Sequence, residues 1–310
     1  MNRALVDKIV NAVLYEGYVL YPYRASAIKN RTRWMFGGLY PPAWSLAQNA
    51  ADRSSMQAEC LIAGNQSVFL DVEIRFLHLL ASGQGNAGRQ EAMERDIALN
   101  NLDVAQITLQ PQRMTFPFAE SESAARIDTR QELIKATVEL ESQHAGPGLW
   151  KLTLRVSNET PLEPLEAHAA LMRSMASTHA VLTLRGGEFV SLLNPPEQYR
   201  DRAAACRNIG VWPVLVGEND ERDTMLASPI ILYDYPQVAP ESPGDFFDST
   251  EMDEMLTLRV LTLTDEEKRE MREGDERARQ ILERTEALAP EQLMKLHGAL
   301  RSLRPAGGSE

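Results

Sequence analysis

The chain has 310 residues, 44% of them hydrophobic and 25% charged, enough apolar material for one large core or two packed units, and this excludes a disordered chain. Its 32 Lys+Arg stand against 44 Asp+Glu, a net charge of -12 and a pI near 5.0, a field that repels phosphate backbones and excludes general nucleic-acid binding. Cys60 and Cys206 lie far apart outside any C-x-x-C pair, which excludes a disulfide framework or a thiolate metal site, and no run of about 18 apolar residues marks a membrane span, so a cytoplasmic protein is expected.

Val6, Ile9, Val10 and Val13 fall at i, i+3, i+4 and i+7 and predict an amphipathic helix ending near Gly17. The stretch that follows, YVLYPYRASAIKNRTRW over residues 18 to 34, is predicted extended, because Pro22 disfavours helix at Tyr21. It gathers Tyr23 and Trp34 with Arg24, Lys29, Arg31 and Arg33 in an otherwise acidic chain. Residues 35 to 67, with Gly37, Gly38, Pro41 and Pro42, read as loop with some short structure.

The period then changes. In VFLDVEIRFLHLL, residues 68 to 80, Val68, Leu70, Val72, Ile74 and Phe76 alternate with Asp71, Glu73 and Arg75, the pattern of a half-buried strand. Strands are expected over 104 to 109 and 113 to 118, and ELIKATVELES with LWKLTLRVSN predicts an antiparallel hairpin joined by HAGPG. Together these make residues 68 to 160 an antiparallel β-sandwich-like sheet or one strongly twisted sheet.

After Pro164, LEAHAALMRSMAS predicts a helix, and HAVLTLRGGEFVSLL predicts a hairpin turning at Gly186-Gly187. EQYRDRAAACR reads as helix, and WPVLVG and MLASPIILYDY as short buried strands. Thr264 with Glu267 has capping-box spacing ahead of a helical C-terminal tail. The predicted class is α+β, an antiparallel sandwich-like sheet with flanking helices, divided as 1–67, 68–160, 161–263 and 264–310.

Three chemical signals compete with ordinary structure. Gly83, Gly85 and Gly88 spell G-x-G-x-x-G after a predicted strand, as in a dinucleotide site. The strand before them alternates polar and apolar residues, whereas the parallel strand of such a fold is nearly all apolar, so a flexible polar loop is the preferred reading. The five histidines, His78, His144, His168, His179 and His297, form no close ligand pair, so no metal and no cofactor is expected. Ser177-Thr178-His179 lacks a nucleophile elbow, and Cys206 reads as a structural thiol.

Two surface constellations remain. The basic-aromatic arm, with Tyr23, Arg24, Lys29, Arg31, Arg33 and Trp34, is suited to clamping an acidic partner or to neutralising the chain's own carboxylates. LYDYPQVAPESPGDFFDSTEMDEML, residues 232 to 256, is stiffened by Pro236, Pro240 and Pro243 and carries Asp234, Tyr235, Glu241, Asp245, Asp248, Glu251 and Asp253. Its spacing is not that of a calcium loop, and a partner-recognition loop is preferred over a metal site. The opposite charges of the two constellations also allow them to pair within the fold or across a homo-oligomer.

Four long stretches, VLYEGYVLYPYRASAIKNRTRWMFG, GGEFVSLLNPPE, ACRNIGVWPVLVG and SPIILYDYPQVAPESPGDFFDSTEMDEMLTLRVLTLTDEEKREMR, together resemble a family of bacterial proteins associated with gene sets for nickel-iron hydrogenases and their accessory factors. The likeness covers most of the chain. It implies an accessory or assembly role in hydrogenase maturation, with a hydrogenase subunit or another maturation factor as partner, and no catalytic residue carries over. The expected mechanism is non-enzymatic protein-protein contact. The enzymatic alternatives are a nucleotide-dependent enzyme using the Gly83/Gly85/Gly88 loop, or a hydrolase whose site is assembled from distant residues.

Overall fold

A computed structural model describes residues 3–19, 37–82, 91–119, 121–122 and 129–237, together with Lys268, Arg269, Arg272, Leu282, Glu283 and Glu286. The fold is α+β as expected, mostly antiparallel sheet with a few flanking helices, and the strongly twisted sheet curls into a nearly closed barrel. Among the described residues no helix is long and apolar enough to cross a membrane. The six described residues of the C-terminal tail are all helical.

One strand organises the whole. β1 (Ser55–Ser82) is 28 residues long. Its first half pairs with β7 (Leu149–Asn158), its second half with β2 (Glu91–Asp103), and its other edge with β8 (Met175–Val190). From β7 the sheet continues through β6 (Ile134–Gly146) to β3 (Gln112–Phe118), and from β8 through β10 (Thr224–Ser228) to β9 (Trp212–Leu215). Every pairing of β1 is antiparallel, so the strand preceding Gly83 belongs to no parallel sheet. β1 also runs through the division drawn at residue 67.

Alternation explains the core. Cys60, Ile62, Leu70, Val72, Ile74 and Phe76 of β1 face inward with Leu152, Leu154, Val138, Leu140, Leu182 and Met225, all close to fully buried. The outward face of β8, β9 and β10 is covered by α1 (Arg3–Val19), whose Val6, Ile9, Val10 and Val13 pack on Val181, Val214, Val216 and Leu226. The same stripe predicts this helix from sequence, and the structure extends it two residues beyond Gly17.

Both ends of the β3-to-β9 path place a proline where it removes no ladder bond. The N–H and C=O of Lys135 are used by Thr160 and Glu159, away from β3, so its partner Pro117 sits at a non-hydrogen-bonded position. Leu215 likewise directs its N–H and C=O outward, and Pro213, two residues earlier, faces that same outer edge.

Four expectations are corrected. Residues 55 to 67 are strand, the first half of β1; their small Ala58, Cys60 and Gly64 conceal an alternation in which Ala58, Cys60 and Ile62 point inward. Residues 104 to 109 form a helix, α3, because Asp103 caps it by accepting the N–H groups of Ala105 and Gln106, which outweighs the β-branched content of VAQITL. The helix after Pro164 is only α4 (Ala167–Met172), since β8 already begins at Met175.

Gly186-Gly187 turns no hairpin. β8 runs straight through it while β1 steps out, advancing five residues from Gly64 to Phe69 as β8 advances two from Gly187 to Arg185. The glycines make room for that excursion: a Cβ on Gly186, at φ +80°, would lie 2.5 Å from the Ser67 carbonyl oxygen, and one on Gly187 would lie 2.9 Å from Val68 Cγ1. Gly186→Ala is therefore expected to cost about 2–4 kcal/mol, since it adds a backbone clash to a left-handed φ. Urea unfolding of the variant measures this directly.

Candidate protein-binding surface

Of the residues singled out from sequence, Tyr23, Arg24, Lys29, Arg31, Arg33 and Trp34 lie outside the described residues, as do Gly83, Gly85, Gly88, Glu241, Asp245, Asp248, Glu251 and Asp253. Asp234 and Tyr235 are described, and they anchor an exposed apolar element of the fold.

The element begins where β10 stops. MLASPIILYDY reads as one buried strand, but Pro229 follows Ser228 and ends the ladder, and residues 229 to 235 fold back along the outer edge of β9. Asp234 fastens this return: its Oδ1 accepts the Leu215 N–H at 2.8 Å and its Oδ2 accepts the Ser191 hydroxyl at 2.6 Å. The Tyr235 N–H donates to the Leu215 carbonyl at 2.7 Å, and the Tyr235 ring packs against the barrel core.

Alternation between these pins decides what faces solvent. Ile230 and Leu232 turn inward onto the cluster under α1. Ile231 and Tyr233 turn outward and are 76% and 86% exposed. Trp212, opposite Ser228 in register, is 45% exposed, and Leu193 in the turn held through Ser191 is 56% exposed. Large apolar groups on a backbone pinned at both ends are preorganised, so little ordering entropy opposes their contact with a partner. The signal in sequence was Pro229 ahead of I-L-Y-D-Y, which breaks the strand and splits its alternation into an inner and an outer set.

The reactive side chains are spent on structure. Burial drives the Cys60 thiol pKa far up, and desolvation, then the Glu59 charge, push the Cys206 thiol up to about 11. Glu59, 8% exposed, accepts the Arg207 N–H at 2.7 Å and pairs with Lys151 at 3.2 Å, fixing the segment that carries Cys206 against β1. Ser177 donates to the Val13 carbonyl, Thr178 to the Met175 carbonyl and His179 Nδ1–H to the Ser177 carbonyl, which leaves no relay among the three.

His78 and His179 are both fully buried, and burial first of all lowers each to about 4, the Arg95 charge adding to the effect at His78. Among the described residues no group of three or more His, Cys, Asp or Glu is placed to hold a metal ion.

Two grooves are lined by described residues. One, about 610 Å³, is bordered by Gly64, Gly186 and Gly187 at the β1 excursion, by Gly148 in the turn between β6 and β7, and by Glu188 and Tyr199. The other, about 330 Å³, lies between α1 and the outer face of β1 and β2, where Arg3 pairs with Asp7 and Glu73, and Arg75 with Glu94.

No profile of a known protein family matches the chain, and no curated protein matches it.

Proposed function

We propose that this protein is a non-enzymatic assembly or accessory factor that works by protein-protein contact, with nickel-iron hydrogenase maturation as the setting its sequence resemblance implies. The observation that carries the reading is the pinned return of residues 229 to 235, which holds Ile231 and Tyr233 out in solvent. Interface hot spots are built from such rigid aromatic and aliphatic anchors ringed by polar groups. The burial of Cys60, His78, His179 and Glu59, and the raised thiol pKa of the half-buried Cys206, support contact rather than covalent chemistry.

In sequence the acidic segment that begins at Asp234 follows directly, and its charge favours a partner with a basic complement. Hydrogenase subunits and their maturation factors are the partners proposed. The double substitution Ile231→Asp with Tyr233→Asp is expected to leave stability within about 0.5 kcal/mol of the parent, because both side chains are already in water. It is expected to weaken partner capture by roughly 100-fold or more if the two act as anchors. Urea unfolding reads the first quantity, and affinity purification of tagged parent and variant from cells expressing a nickel-iron hydrogenase reads the second; equal capture by the two proteins would remove this surface from the account.

A further inference from the structure

The sheet path from β3 to β9 has two ends, and they are finished in different ways. At β9, the Leu215 N–H donates to Asp234 Oδ1 and the Leu215 carbonyl accepts the Tyr235 N–H, while Pro213 has no N–H to offer, so the strand keeps no open donor on that side. At β3, Gln112, Met114, Phe116 and Phe118 direct their N–H and C=O groups to β6, because the alternate pairs Arg113–Glu139, Thr115–Thr137 and Pro117–Lys135 are the non-hydrogen-bonded ones. The outward groups are therefore the N–H and C=O of Arg113 and Thr115 and the C=O of Pro117. All three residues are exposed, and among the described residues none of these groups has a hydrogen-bond partner.

An open strand edge of this kind is a template for a second copy of the chain. A copy laid antiparallel about Thr115 would exchange both Thr115 bonds, but it would bring its own Pro117 opposite Arg113. The Arg113 N–H would reach that proline's carbonyl, whereas the Arg113 carbonyl would face a pyrrolidine ring with no donor. A desolvated, unpaired carbonyl at each end of so short a ladder opposes the pairing. Charge is not the obstacle, since Arg113 is already paired with Glu139 and Glu159. The apolar residues of the strand would favour addition: Met114, Phe116 and Phe118 are only half-buried at the margin of the core, where a further strand would cover them.

We infer that Pro117 keeps this edge from joining a second copy of the chain, with Pro111, one residue ahead of the strand, denying a donor at its other end. The ladder to β6 does not require proline at 117, because the position makes no ladder bond. The substitution Pro117→Val would restore the missing outward donor and remove the one interruption from the β-forming run Met114 to Phe118. The guarded edge is independent of the exposed surface at residues 231 to 233.

The test compares the full chain, its Pro117→Val variant and the double variant Thr115→Pro, Pro117→Val by sedimentation velocity and by hydrogen exchange at the Arg113 and Thr115 amides, over about a hundredfold range of concentration. Pro117→Val is expected to fold as the parent does and to gain a concentration-dependent dimer or larger species that the parent lacks. Exchange at Thr115 is expected to slow at least about tenfold as that species forms, because its N–H becomes hydrogen-bonded. The double variant, whose new proline again removes an outward N–H and no ladder bond, is expected to return to the parent's mass. Identical mass of parent and Pro117→Val at every concentration would overturn the inference. So would association that leaves the Thr115 amide exchanging as fast as in the parent, since the copies would then be meeting elsewhere. Should the double variant fold poorly, the mass and exchange of Pro117→Val against the parent decide alone.

Discussion

Asn158→Ala is expected to lower the unfolding free energy by about 3–5 kcal/mol, one of the two largest effects foreseen for this protein. Asn158 is 1% exposed at the end of β7, and its side chain makes three hydrogen bonds. Its Nδ2 donates to the Leu39 carbonyl at 2.9 Å and to the Arg173 carbonyl at 2.7 Å, and its Oδ1 accepts the Thr160 N–H at 3.0 Å. Those three backbone groups lie at junctions outside the long ladders: Leu39, which a single bridge joins to Met175, the turn before β8, and the exit from β7.

Alanine leaves the Arg173 carbonyl and the Thr160 N–H without their partners, each costing about 1–3 kcal/mol, and removes one of the two donors to the Leu39 carbonyl, which keeps the Met175 N–H. Asn158→Asp is expected to be at least as damaging, since a carboxylate would face the two carbonyls where donors are required. Urea denaturation of the three proteins, read by far-UV circular dichroism, gives the values. A loss below about 1 kcal/mol for the alanine variant would mean that these segments are held by other contacts.

The second large effect is acid lability. His78 and His179 have folded pKa values lowered to about 4, whereas an unfolded histidine titrates near 6.5. Burial is the main cause at both, and the charges of Arg95 at His78 and Arg75 at His179 act in the same direction. The unfolded chain therefore binds more protons than the folded one between pH 6.5 and 4. The stability due to the neutral rings is complete above 6.5 and is lost as pH falls toward 4, up to roughly 3 kcal/mol for each histidine.

Unfolding free energy is accordingly expected to fall by about 4–6 kcal/mol between pH 7 and pH 4 from these two groups, before the surface carboxylates titrate fully. His179→Asn, whose amide takes over the bond to the Ser177 carbonyl without a titrating ring, is expected to remove about half of the slope. A stability profile flat from pH 7 to 4.5 would contradict the burial of both rings.

Much of this architecture was legible in particular residues. Val6, Ile9, Val10 and Val13 predicted α1 because a single apolar face meets the sheet there. Ile134 to Leu140 and Trp150 to Val156 predicted the β6–β7 hairpin because each strand keeps a strict period of two. Where one of these signals is diluted, the reading failed. Ala58, Cys60 and Gly64 in the first half of β1 are too small to display their alternation, and the VAQITL segment is decided by one capping carboxylate, Asp103, that lies outside it. Gly186-Gly187 looked like a turn because close approach of a neighbouring backbone, here Ser67, asks for the same residue as a left-handed turn.

The candidate surface was half legible. Asp234 and Tyr235 stand out in sequence by charge and ring, and the structure gives both an internal contact, while the outward Ile231 and Tyr233 lie inside a run that resembles a buried strand. Orphaned polar atoms such as Arg95 Nε leave no trace in sequence at all, since they depend on which strand ends up opposite.

The measurement that tests the central claim most directly is hydrogenase activity in cells whose own copy of this gene is replaced by the Ile231→Asp, Tyr233→Asp form. At unchanged protein level, activity is predicted to fall to that of a strain lacking the gene. Full activity with the double variant would contradict the account, as would a deletion strain that makes active hydrogenase normally.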